Sequence, residues 1–173
     1  MPGYVIHLAI GKRYVDINHV IDVNGFLKGC IMPDLLDKRK SHYGDSSSNP
    51  DFQKFLTANQ LNTAYNQGYL LHLITDYLFY NRYLREFSDE IYHDYNKLNE
   101  FLIKKYNIDI PPEIREMVGD EKGKLKILTK DSICRFIEAI ANIDLQKCKN
   151  LQQYLQEYEI DKEKEKEKET EIE

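Results

Sequence analysis

Apolar residues recur along this chain at intervals of three and four, the repeat of a helix lying on a core. No run alternates apolar with polar positions for more than about four residues, so strands are not expected. Val5, Leu8, Ala9 and Val15 form a stripe that predicts a first helix over residues 4–16. Val23 to Met32 reads as a second, shorter helix ended by Pro33. Residues 34–50 carry Asp34, Asp37, Gly44, the run Ser46-Ser47-Ser48 and Asn49-Pro50, and read as a long loop. Pro50 and Asp51 open a helix bearing Phe52, Phe55 and Leu56. The widest stripe runs from Leu61 to Phe87 through Tyr65, Tyr69, Leu70, Leu73, Ile74, Tyr77 and Leu78, which predicts a long buried central helix. Ser88 reads as the N-cap of the next helix, with Asp89 and Glu90 in its first turn and an end near Tyr106. Ile110-Pro111-Pro112 breaks the chain before a short helix over 113–118 and a turn over 119–124. Thr129 or Asp131 caps a helix with Ile133, Phe136, Ile137 and Ile140, and a last helix carries Leu145, Leu151 and Leu155. The pattern predicts an all-α fold: one helical bundle of about six to eight helices over residues 1–160.

Residues 161–173 break the pattern. They hold four Lys and seven acidic residues with Ile172 as the one apolar position, so they have nothing to bury. They read as a charged tail, disordered or extending the last helix through charge pairs four apart. The tail also carries more than half of the net charge of −5, and the body is close to neutral. A near-neutral body excludes the basic stripe of a dedicated nucleic-acid surface but leaves small phosphate substrates open. At 173 residues there is room for one ordinary domain. Three cysteines without paired spacing make neither a disulfide framework nor a thiolate metal site, and Cys30 and Cys134 read as small core residues. No apolar run reaches the roughly 18 residues of a membrane span, and no secretory signal is visible, so a cytoplasmic setting is expected.

Chemistry concentrates in five histidines and their acidic neighbours. His72 and Asp76 stand four apart on the central helix and share a face, where they can ligate one cation or bracket two. Placed on an apolar face, such a pair is costly unless hydrogen-bonded to each other or bound to metal. Asp34 follows Pro33 at the turn after the second helix, Ser41-His42 lies in the loop beyond, and His7 lies among Val5, Ile6, Leu8 and Ala9. Read singly, Asp34 is also an ordinary turn cap and His7 an ordinary core histidine. Together they form a nitrogen and oxygen donor set without thiolate, which suits zinc, with iron or manganese as alternatives. A metal site of this type makes hydroxide available from bound water near neutral pH.

In order, these motifs resemble the zinc-dependent phospholipase C superfamily in its short bacterial, clostridial-type branch. The resemblance rests on His7, the Gly29-x-x-x-Pro33-Asp34 turn, His42, the segment Gly68 to Asp76 with its His72-x-x-x-Asp76 pair, and Tyr92-His93-Asp94-Tyr95-Asn96-Lys97-Leu98-Asn99. It covers about residues 1–105. It implies metals bound between helices and hydrolysis of a phosphodiester by a metal-activated water. It implies His7, Asp34, His42, His72 and Asp76 as ligands, with His93 as a possible extra ligand and Asp34 as general base. The expected substrate is a small phosphoester or a phospholipid headgroup. A second His-x-x-x-Glu pair is absent and Tyr80 stands four positions after Asp76, so the resemblance implies a reduced cluster of one or two zinc ions.

Two further readings compete. One is a phosphohydrolase built on the adjacent pair His93-Asp94, with His72 upstream and Asp131 as the downstream acid. The other is a helical binding protein that has lost catalysis. Nucleophilic catalysis has no support, because no Gly-x-Ser-x-Gly elbow and no phosphate-cradling glycine loop are present. Loops 34–50 and 107–130 are the expected walls of a substrate pocket.

Overall fold

The structure, a computed structural model, describes residues 3–84, 86–150 and 155, the side chains of 148–150 excepted. The charged stretch 161–173 lies outside the described residues. Among these the chain is all-helical, without strands, and folds as one compact helical bundle. No described helix is long and apolar enough to cross a membrane.

The α-helices before residue 145 follow in order: α1 (Tyr4–Asn18), α2 (Val23–Leu35), α3 (Lys38–Ser41), α4 (Phe52–Ala58), α5 (Ala64–Leu78), α6 (Ile91–Tyr106) and α7 (Lys130–Ala141). Short 3₁₀ segments cover Pro112–Met117 and Leu145–Asn150. Side-chain caps fix most of the starts. Asp22, Asp51, Thr63 and Thr129 each accept from a backbone N–H three residues on, satisfying a donor the helix leaves free. Of the two candidates for α7, Thr129 is the cap.

Three expectations change. Pro33 does not end the second helix; it lies inside α2, which continues to Leu35. Proline removes the N–H that Gly29 would bond to, so the last turn is loosened rather than broken. The loop expected over 34–50 contains α3, capped by Asp37. The central helix is shorter than its stripe. α5 ends at Leu78, and Phe79–Tyr83 continue it as a π-turn. Phe79 is buried in this turn and Tyr80 and Tyr83 pack partly buried against the core, which is why the apolar pattern runs past the α-helical end. In addition, Ser88 lies before α6 rather than capping it, and Glu90 stands at the cap position.

The core is built from Phe26, Phe55, Phe79 and Phe136 with the aliphatic faces of α1, α2, α5 and α7. α1 packs on α2, α6 and α7, and α2 lies along α5. That last contact is close because glycines face it from both sides. A Cβ on Gly68 would fall 2.1 Å from the Phe26 carbonyl oxygen, and one on Gly29 would fall 2.1 Å from that of Tyr65. The two backbones therefore touch, and α2 delivers Asp34 directly against the His72 and Asp76 turn of α5.

Candidate metal centre

Five side chains from four elements converge between α1, α2, α3 and α5. His7 comes from the middle of α1, Asp34 from the loosened last turn of α2, His42 from the C-cap of α3, and His72 and Asp76 from α5. All five are buried, and the side chains of Asp34, His42, His72 and Asp76 have no exposed surface. Asp34, His42, His72 and Asp76 form a group that could hold a metal ion.

The donor atoms sort into two sets. Nε2 of His42 lies 3.5 Å from Asp34 Oδ1 and 3.0 Å from Asp76 Oδ2, and Nε2 of His72 lies 3.4 and 3.3 Å from the same two oxygens. The opposite oxygens face His7, whose Nε2 is 3.1 Å from Asp76 Oδ1 and 3.9 Å from Asp34 Oδ2. Each carboxylate thus offers one oxygen to a four-donor group and the other to His7. Ligands about 2.0–2.1 Å from a zinc ion in tetrahedral geometry stand about 3.3–3.4 Å from one another. The four nitrogen–oxygen pairs of the group have nearly that spacing, and all four donor atoms lie within 4.8 Å of one another.

The outward ring nitrogens decide what the inward ones present. Nδ1 of His72 lies 2.6 Å from the carbonyl oxygen of Cys30. A carbonyl only accepts, so Nδ1 carries the proton. The Ser41 hydroxyl donates to the Pro33 carbonyl at 2.7 Å, which leaves it to accept from Nδ1 of His42 at 2.9 Å. Neutral imidazoles fixed in this way aim their Nε2 lone pairs at carboxylate oxygens. Only a proton on Nε2 or a cation among the donors makes that arrangement attractive. Accordingly, Nε2 of His7, Nε2 of His72, both oxygens of Asp34 and Oδ1 of Asp76 make no hydrogen bond although buried. Orphaned buried polar atoms are costly and rare, and five in one cluster fit a cation that satisfies them together.

Without metal, protons must do this work. Burial opposes charge on His72, but Asp76 and Asp34 outweigh it and raise its pKa to about 10. Burial pushes the Asp34 and Asp76 carboxyls up, yet the charge of His72 and the neighbouring imidazole contacts hold both below the usual carboxylate range. Burial and then the charge on His72 lower His7. The His7 and His72 rings stack at 3.8 Å between centroids, so a second proton on that pair is unfavourable.

His93 is not part of the cluster. It is exposed, and its Nδ1 meets Glu121 at 2.9 Å. Its neighbour Asp94 points the other way, into the core, where it accepts from the backbone N–H groups of Lys126, Ile127 and Leu128 at 3.0, 2.7 and 2.8 Å. Adjacent residues on a helix face different directions. Here His93 ties the surface to Glu121 while Asp94 anchors the segment before α7.

Sequence reasoning missed the groups that orient the ligands: the Cys30 carbonyl, the Ser41 hydroxyl, and Tyr69, whose hydroxyl donates to the Ser41 carbonyl at 2.5 Å. Ser41 was legible only as the neighbour of His42. A carbonyl acceptor leaves no mark in a sequence. Tyr95 was missed too: it is 5% exposed and its buried hydroxyl has no partner. No family model matches this chain, and comparison with curated proteins and with solved structures gives no match.

Proposed function

We propose that the chain is a metal-dependent hydrolase of phosphoric esters, a phosphodiesterase of the phospholipase C kind. The observation that carries this reading is the pair of imidazoles with Nδ1 protonated and Nε2 turned toward two carboxylates. Three imidazoles and two carboxylates without thiolate favour zinc, with iron or manganese next. One ion would be held by Asp34, His42, His72 and Asp76, and a second by His7 with the remaining oxygens of Asp34 and Asp76.

A bound zinc ion supplies a water acidic enough to ionise near pH 7 and offsets charge on the phosphoryl oxygens. The protein groups do the rest. His42 and His72 are held in one tautomer by Ser41 and the Cys30 carbonyl, as metal-binding imidazoles commonly are. In the one-ion form Asp34 Oδ2, 3.9 Å from His7 Nε2 and outside the four-donor group, would take the proton of the attacking water. The substrate class is a small phosphoester or a phospholipid headgroup. A reducing cytoplasm agrees with the unpaired thiols of Cys30 and Cys134.

The test is metal analysis joined to turnover. Zinc-reloaded protein is expected to retain one to two ions per chain and to hydrolyse bis(p-nitrophenyl) phosphate. His72→Ala and Asp76→Ala are expected to lose both properties. Full activity and full metal content in these variants would sink the reading, as would a wild-type chain that holds no stoichiometric metal.

A further inference from the structure

Among the described residues the buried hydroxyl of Tyr95 has no hydrogen-bond partner, an arrangement a fold does not keep for stability. Its ring packs 6.2 Å from Phe79, three residues beyond Asp76, and burial, then the charges of Tyr92 and Asp76, keep the hydroxyl protonated. The residue also lines a cavity of about 240 Å³ with Tyr4, Val5, Tyr92, Asn96, Met117 and Val118. Among the described residues no charged side chain lines it. The cavity wall also reaches the metal centre through Tyr4, whose hydroxyl donates to the Asp34 carbonyl at 3.2 Å. Rings continue outward from Tyr95, 5.9 Å to Tyr92 and a further 6.2 Å to Phe87, both well exposed.

We propose that Tyr95 is the substrate-positioning residue of the candidate centre, donating its hydroxyl hydrogen to a non-bridging phosphoryl oxygen, and that the adjoining cavity takes an uncharged alcohol portion of the ester. This rests on the function proposed above. The protonated phenol has one donor to give and no protein acceptor to give it to, and a phosphoryl oxygen supplies the acceptor. A neutral cavity of this size receives a ring or short chain without desolvating an ion, whereas a carboxylate or ammonium there would lose its hydration with no counter-charge.

The test uses Tyr95→Phe, which keeps the ring and removes only the oxygen. Thermal unfolding is expected to be unchanged or higher, because an unpaired polar atom is gone, and zinc content is expected to match wild type. Binding of inorganic phosphate by the zinc-loaded protein, measured by calorimetry, is expected to weaken at least tenfold. kcat/KM for bis(p-nitrophenyl) phosphate is expected to fall about 100-fold, as when one donor to a developing oxyanion is lost. An analogue carrying a carboxylate on each leaving group is expected to be cleaved at least tenfold less well than the neutral ester by wild type. Phosphate affinity and turnover within twofold of wild type in Tyr95→Phe would overturn the role of Tyr95 and leave the hydrolase reading standing. Equal cleavage of the charged analogue would overturn the neutral cavity. A wild-type chain that neither binds phosphate nor cleaves the ester would overturn both this proposal and the function beneath it.

Discussion

Replacing Gly68 by Ala sets two well-understood effects against each other. Helix propensity favours alanine over glycine in a helix interior by about 1 kcal/mol. Gly68 lies inside α5, so an isolated helix would gain. In the folded chain the added Cβ would stand 2.1 Å from the Phe26 carbonyl oxygen, 3.0 Å from its carbon and 3.2 Å from the Cys30 nitrogen. Ordinary contact begins at 3.4 Å, so the worst contact is about 1.3 Å too short, and the obstacle is backbone rather than a side chain that can swing away. α2 and α5 must separate by about 1 Å or bend. Overpacking of this kind costs about 1–3 kcal/mol, and a backbone clash belongs at the upper end. The same displacement moves Asp34 away from His72, whose Nε2 stands 3.4 Å from Asp34 Oδ1 and 3.3 Å from Asp76 Oδ2. Metal ligands tolerate only about 0.2 Å, so affinity should fall steeply. Urea denaturation of metal-free Gly68→Ala is expected to show a loss of about 2–3 kcal/mol with an unchanged m-value. Competition against a chromophoric chelator is expected to show zinc binding weakened at least 100-fold. A variant that is as stable as wild type, or more so, would refute the claim that the two helices touch at these glycines.

The metal-free centre should have a distinctive pH profile. The depressed Asp34 and Asp76 groups stabilise the fold above about pH 4, and lowered His7 stabilises it above about 6.5; these contributions fade as pH falls. His72, raised to about 10, stabilises fully below about pH 6.5 and progressively less as pH rises toward 10. Metal-free protein should therefore melt highest near pH 6–7, while the melting increase produced by zinc should grow from pH 6 to 9, because zinc displaces the His72 proton. A zinc effect that shrinks over that range contradicts the assignment. Ser41→Ala frees the His42 tautomer and should weaken zinc about 10–100-fold with little change in stoichiometry, read by the same chelator titration; unchanged affinity would remove Ser41 from the site. Asp94→Ala strips the acceptor from three backbone amides and should cost about 3–5 kcal/mol in denaturation while leaving zinc content intact. Loss of zinc from a still-folded Asp94→Ala would instead favour a centre at His93-Asp94.

Much of this protein was readable from residue order. The three-and-four repeat determined that it is all-helical, and the cap residues Asp51 and Thr129 stand where their helices begin, because both depend on neighbours within one turn. His72 and Asp76 were paired by the helix repeat alone. Convergence of His7, Asp34 and His42 on that pair was not readable in this way, since it depends on contacts 30 to 69 positions apart in the chain, and the residues were grouped only by shared donor chemistry and by the resemblance. The tertiary structure decided it through the touching backbones of α2 and α5, which two glycines permit. It also decided the tautomers, through a carbonyl and a hydroxyl whose hydrogen bonds have no sequence signature. The same holds for His93 and Asp94. As adjacent letters they formed a pair, but as helical neighbours they point apart, and the packing of the segment before α7 claimed Asp94 for the fold. Local chemistry set the elements, and the closeness of two helices set where their charged groups meet.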